Sequence, residues 1–295
     1  MADYILSCCS TADLTKEHFE ERDIHYVCFH YAIDGQEYMD DLGVSMSFEE
    51  FYARMAKGAD TRTSQVNISE YVTYFTQFLE KGLDIVHVCL SSGISGTINS
   101  ARNAALIVQV RFPDRKVYIV DSLGASSGYG LLMDTAATKR DEGLTAEVLA
   151  AWIEENRLYL HHWFFSTDLS SYLRGGRISA ASAIIGTALK ICPLMTVDCD
   201  GKLAPREKIR TKKRAISEMA KTVMAHVQDG PNYSGKCIMS HSACREDAEA
   251  VAALIGEQIP QLKGKIEINN IGALIGSHTG PGTVALFFMG DKRVD

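Results

Sequence analysis

The strongest constraint on this chain lies between Ile68 and Val120, where helical and strand patterns alternate over short connections. Ile68, Tyr71, Val72, Phe75, Phe78 and Leu79 recur at spacings of three and four, so they share one face of a helix that Gly82 ends. Ile85 to Leu90 is an apolar run of buried-strand length. A helix over about 95–112 follows, opening on Ser95-Gly-Thr97; next come a strand from Val117 to Val120 and helices over roughly 128–141 and 145–158. Upstream, Tyr4 to Ser7 reads as a first strand, and Val27 to Ile33 as a second that turns at Asp34-Gly35. Strand, helix, strand, helix predicts a parallel sheet covered on both faces.

The second half follows another pattern. Trp163 to Thr167, Leu194 to Val197 and Lys202 to Ile209 read as strands, the last two joined by a hairpin at Asp200-Gly201. Helices are expected over about 212–228 and 245–257, with strands at Cys237 to Ser240, Ile266 to Asn269 and Val284 to Met289. The expected architecture is therefore α/β with two domains. Residues 1–160 form a three-layer α/β/α unit with a mainly parallel sheet, and residues 161–295 an α+β unit with a mixed or antiparallel sheet.

Composition narrows the function. The net charge of −7 argues against a general nucleic-acid binder, which needs a basic face. No apolar run reaches the length of a membrane span. Met1 to Cys9 reads as a strand without a basic leader, and eight cysteines show neither C-x-x-C nor zinc-ligand spacing. A reduced cytoplasm, with thiols serving as small apolar side chains and no metal, is the expectation.

Several segments carry chemistry. In Ile275-Gly-Ser-His-Thr-Gly-Pro-Gly282, His278 is expected in a loop with Gly276, Gly280 and Gly282, where an imidazole can donate to an anion. Leu90-Ser-Ser-Gly-Ile-Ser-Gly-Thr97 follows a buried strand and opens a helix, a place where free N–H groups and the hydroxyls of Ser92, Ser95 and Thr97 suit a carboxylate or phosphate. Helix capping alone accounts for Ser95, but less well for the whole run. Thr61-Arg-Thr-Ser-Gln65 reads as a second hydroxyl-rich turn before a helix, and Leu173-Arg-Gly-Gly-Arg-Ile-Ser179 offers two arginines that could clamp an oxyanion. Neither nucleotide-binding glycine signature is present.

Gly124-Ala-Ser-Ser-Gly128 matches G-x-S-x-G, which keeps open a serine hydrolase acting on acyl esters through Ser126 and His278, although Ser126 lies six residues past Val120. The adjacent rings of His161 and His162 must point apart if they lie on a strand. Lys202, Arg206, Lys208, Arg210, Lys212, Lys213 and Arg214 make a local basic face able to dock an acidic protein.

Taken in order, Ser10-Thr-Ala-Asp-Leu14, Thr63-Ser-Gln65, Ser91-Ser-Gly-Ile-Ser-Gly-Thr97, Val120-Asp-Ser122, Tyr172-Leu-Arg-Gly-Gly-Arg-Ile-Ser179, Asp200-Gly-Lys202 and Gly276-Ser-His-Thr-Gly-Pro-Gly282 resemble the DegV family of bacterial fatty-acid-binding proteins. The resemblance implies two α/β domains around a buried acyl chain and no catalysis by the chain alone. It also implies a partner, an ATP-dependent kinase subunit of a fatty acid kinase, which turns the bound acid into acyl phosphate for phospholipid synthesis. Membrane contact would be transient at most, and the fatty acid takes the place of a cofactor. By the same resemblance Thr63, Ser95 with Gly96, and His278 hold the carboxylate, while Arg177 assists phosphotransfer with His278. Two positions depart from the family pattern: Cys9 stands where aspartate is usual, and Val66 where proline is usual.

Physical chemistry agrees with such a ligand. Burying about fourteen methylenes at roughly 0.8 kcal/mol each gives a gross gain of about 11 kcal/mol before binding costs. A buried carboxylate would cancel several kcal/mol of that unless fully hydrogen-bonded.

Overall fold

The computed structural model describes residues 3–178 and 191–294. Ser179, the last residue of the arginine motif, lies outside them. In the first half, β2 (Ile24–Val27), β1 (Tyr4–Cys9), β6 (Asp84–Cys89) and β7 (Val117–Asp121) form a parallel sheet in that order. Leu6 pairs with Ile24 on one side and Val86 on the other. Helices α3 (Ile68–Leu79) and α4 (Thr97–Arg111) cover one face, α5 (Ser126–Asp141) and α6 (Ala146–Asn156) the other. The spacing read in α3 is its buried face: Tyr71, Phe75, Phe78 and Leu79 pack under the sheet, and an Asn67/Glu70 capping box starts the helix.

In the second half, β10 (Leu203–Arg210), β9 (Ile191–Val197), β8 (Leu160–Ser166), β13 (Thr283–Met289), β11 (Cys237–His241) and β12 (Glu267–Asn270) form one mixed sheet in that order. Every pairing is antiparallel except β11 with β12. Two helices, α8 (Lys212–His226) and α9 (Arg245–Gln258), back its outer face. The inner face packs against α5, so Phe164, Met195, Ala285 and Phe287 share one core cluster with Leu6, Val86 and Tyr129. This is an α/β architecture with a parallel α/β/α layer and a mixed-sheet α+β layer.

Several expectations need correction. The single strand expected over Val27 to Ile33 is two strands in two sheets, because the chain breaks at Phe29, whose ring is buried and whose N–H bonds Ser10 Oγ. Beyond the break, β3 (His30–Ile33) joins β4 (Gln36–Met39) and β5 (Thr61–Ser64) in a small antiparallel sheet. Thr63 therefore sits in a strand, opposite Tyr31, and not in a turn. His278 also belongs to no loop: it lies in the last turn of a short helix, α10 (Ala273–Thr279). Gly276 lies inside that helix, where a Cβ would strike the Tyr52 hydroxyl, whereas Gly280 (φ 71°) and Gly282 (φ 86°) form the turn that follows. Helices α1 (Lys16–Glu21) and α2 (Phe48–Ala56), each started by a capping hydroxyl (Thr15, Ser47), were not legible as helices.

Candidate functional site

Four segments bring the site together. The end of β6 leads through Leu90 into the turn of Ser92 to Gly96, which opens α4. Ser95 Oγ accepts the N–H of Thr97, so the hydroxyl proton remains available to a ligand. Edge strand β5 brings Thr63, and Gln65 just beyond it lies against Gly96. From the other half, α10 presents His278, and α7 (Ser170–Arg174) leads into Gly175 and Arg177.

These parts touch. Thr63 Oγ1 and His278 Nε2 are 2.9 Å apart. A Cβ on Gly175 would overlap His278 Nδ1, so glycine is what lets the imidazole lie against α7. Nδ1 has no hydrogen-bond partner among the described residues. Burial, with the nearby Arg177 charge, pushes His278 down to about 4, so the ring is neutral at pH 7. Arg177 Nη1 donates to Gly175 O at 2.6 Å, and no carboxylate pairs with this half-buried cation among the described residues. Burial lowers its pKa accordingly. What results is a half-buried positive charge beside several hydrogen-bond donors.

Asp40 anchors the start of the helix that carries His278, a role no sequence signal announced. Its carboxylate accepts from Ser10 Oγ at 2.8 Å and from Leu274 N–H at 3.3 Å, which places it at the N-terminus of α10. Burial raises its pKa to about 6 despite those bonds. Asp13, also buried, lies beside it; burial first and then the charge of Asp40 hold its carboxyl well above the usual range.

All of Thr63, Ser95, Gly96, Arg177 and His278 line one cavity of about 620 Å³, well inside the ~300–1,000 Å³ range of small-molecule sites. Away from these polar groups its walls are mainly apolar: Phe29 and Leu90 from the first half, Phe164, Val197, Leu203 and Phe287 from the second. The inward residues of β8, β9 and β13 follow the period of two, but sequence alone does not tell which face meets the cavity.

Ser126 also lines the cavity, at the first residue of α5 with φ 54°. Its hydroxyl donates to Asp13 Oδ2 at 2.5 Å and lies 3.2 Å from Ser240 Oγ, while His278 Nε2 is taken by Thr63. No imidazole is hydrogen-bonded to Ser126 among the described residues, so the Ser126–His278 pair of the hydrolase reading is not formed.

The sequence matches the model described as "Uncharacterised protein, DegV family" over residues 9–291. The chain belongs to the DegV family. It is 35% identical to a DegV domain-containing protein of Clostridium perfringens over 293 residues, 99% of each chain. Among solved structures, a DegV family protein from Thermus thermophilus described for its fatty acid binding superposes with a TM-score of 0.85 at 26% identity, covering 97% of this chain and 99% of that one. The Streptococcus pneumoniae fatty acid kinase B3 protein, loaded with linoleic acid, shares the DegV fold with a TM-score of 0.84 at 19% identity, covering 99% and 100% of the two chains.

Proposed function

We propose that this DegV protein binds a long-chain fatty acid and presents it to a separate ATP-dependent kinase subunit for conversion to acyl phosphate. One observation carries the reading: a largely apolar cavity whose polar side holds the Ser95 and Thr63 hydroxyls and a neutral His278, a set that suits a carboxylate with an aliphatic tail. With its proton on Nε2, His278 donates to Thr63 Oγ1 and leaves the Thr63 hydroxyl free to donate to the carboxylate. Ser95 O–H and the Gly96 N–H at the start of α4 complete the head-group site. Fatty acid binding by the Thermus relative supports the ligand, and the name of the Streptococcus protein supports the kinase.

Arg177, at the same cavity, has a separate task. Charge grows on the phosphoryl group during transfer, and a positioned guanidinium stabilises it most at that point. All seven basic residues from Lys202 to Arg214 are exposed, a surface suited to an acidic partner, although Lys202, Lys212 and Arg214 also pair with nearby carboxylates. Mass spectrometry of an organic extract of the purified protein tests the binding reading. A fatty acid in near-stoichiometric amount is expected; turnover of an acyl ester by the isolated chain would favour the hydrolase instead.

A further inference from the structure

His161 and His162 point to opposite faces of β8, and only His162 faces the cavity. On the outer face, His161 meets His226 at the end of α8 and Asp291 just past β13. His161 Nε2 is 2.9 Å from Asp291 Oδ1 and 2.8 Å from the Asp291 carbonyl oxygen. His226 Nδ1 is 3.1 Å from the same Oδ1. The three side-chain donor atoms lie within 4.8 Å of one another. The geometry points to a site for a borderline divalent transition metal, Zn²⁺ or Ni²⁺ in class, held by His161, His226 and Asp291.

Donor type and spacing both support this. Two imidazoles and a carboxylate are the ligand set such ions prefer over calcium or magnesium. Ligands about 2.0–2.2 Å from one ion stand roughly 3 Å from each other when adjacent, and both imidazole nitrogens stand about that far from Asp291 Oδ1, at 2.9 and 3.1 Å. The ligands are also held in place. His161 is stacked between Phe288, at 5.2 Å, and His226, at 4.9 Å, and Trp163 stacks on His226 at 5.3 Å. Gly290 lets Asp291 approach, since a Cβ there would run into the His226 carbonyl and sit 2.8 Å from the His161 ring. Asp291 N–H donates to the His226 carbonyl at 2.8 Å, which fixes the last strand to the end of α8.

One contact opposes the ion. The Trp163 indole N–H points at His161 Nδ1 from 3.4 Å, favouring a proton on Nε2. A metal on Nε2 moves that proton to Nδ1 and gives up a bond already longer than usual. The site is therefore weaker than a closed structural zinc site, whose imidazoles donate to acceptors. A bound ion would tie together β8, α8 and the C-terminal segment on the face remote from the cavity.

The test uses Trp163 as reporter, because an open-shell ion beside a stacked indole quenches its emission. In the full chain carrying Trp152→Phe, Ni²⁺ alone should quench Trp163 in a saturable way, and Zn²⁺ should reverse the quenching by competition. His226→Ala and Asp291→Asn should each weaken the apparent affinity by on the order of tenfold or more, the scale that loss of even an outer-shell partner reaches. Asp291 is largely exposed, so its variant is not expected to unfold. Quenching that never saturates, or that is unchanged in both variants, would overturn the proposal, as would a thermal midpoint of the unsubstituted protein that does not rise with Zn²⁺.

Discussion

The Thr63 hydroxyl lies 2.9 Å from Nε2 of His278, across 215 residues of chain. One partner belongs to a strand of the small sheet, the other to a helix entering from the opposite half, and the cavity lies where they meet. The contact gives the head-group site its testable consequences.

Ser95→Ala removes a hydroxyl that has a proton to spare and leaves Thr97 N–H without its acceptor. Fatty-acid binding should weaken by about 1.5–3 kcal/mol, the usual scale for a hydrogen bond to a charged group. Competition against a fluorescent acyl probe measures this; unchanged affinity would remove Ser95 from the site.

Gly175→Ala and Gly176→Ala should part company. At Gly175 the new methyl overlaps His278 Nδ1, so the imidazole must move and binding should fall clearly. At Gly176 there is open space but φ is +69°, so the expected cost is about 1 kcal/mol of folding stability with binding preserved. Binding isotherms and urea midpoints of both variants decide; equal loss of binding would show that the fit to His278 is not what matters.

Arg177→Ala should leave fatty-acid retention nearly intact while slowing acyl-phosphate formation by the kinase subunit. Equal loss of both would show that Arg177 holds the lipid or the fold. Added salt should slow kinase association more than lipid retention if the Lys202–Arg214 face guides docking.

The two halves are also joined by an ion cluster around a buried carboxylate, which predicts a pH profile. Asp134, 1% exposed at its side chain, meets His18 at 3.2 Å, Arg22 at 3.1 Å and Lys236 at 2.5 Å. Bonds to Asp134 and Glu267 raise His18 to about 9, against burial. Its stabilising contribution is complete below pH 6.5 and is lost as pH rises toward 9. Burial alone would push Asp134 up, but His18 and Lys236 outweigh it and bring it down to about 2, so its contribution is lost as pH falls below 3.8 toward that value. Asp134→Asn should cost about 1.5–3 kcal/mol near neutral pH, the scale of hydrogen bonds to a charged group, since Lys236 is exposed enough to stay solvated. Urea unfolding of His18→Gln should lack the decline between pH 6.5 and 9; a decline identical to that of the unsubstituted chain would rule His18 out.

Chain length tests the cavity itself. Affinity should rise steeply from butyrate to long saturated acids as more methylenes leave water. A flat series would mean that the apolar walls do not take the tail.

Sequence alone determined the elements whose signal is local. The three- and four-residue spacing of Tyr71, Phe75 and Phe78 marks α3 because one helix face must be apolar whatever it packs on. The apolar run at Ile85 marks β6, and Asp200-Gly201 marks a hairpin, Gly201 adopting the φ of 75° that its turn requires. The ordered motifs, from Ser10 to Gly282, were likewise enough to identify the family. What tertiary structure decided is everything set by distant partners. Thr63 became a strand residue because Tyr31 supplies the pairing, and His278 a helical one because Asp40, far away in sequence, accepts the Leu274 N–H at the start of α10. The break at Phe29 depends on the ring finding a buried place between elements, and the tightness of Gly175 on an imidazole a hundred residues downstream. Local periodicity encodes which surface each element must bury; it carries no information on which other element will be there to bury it.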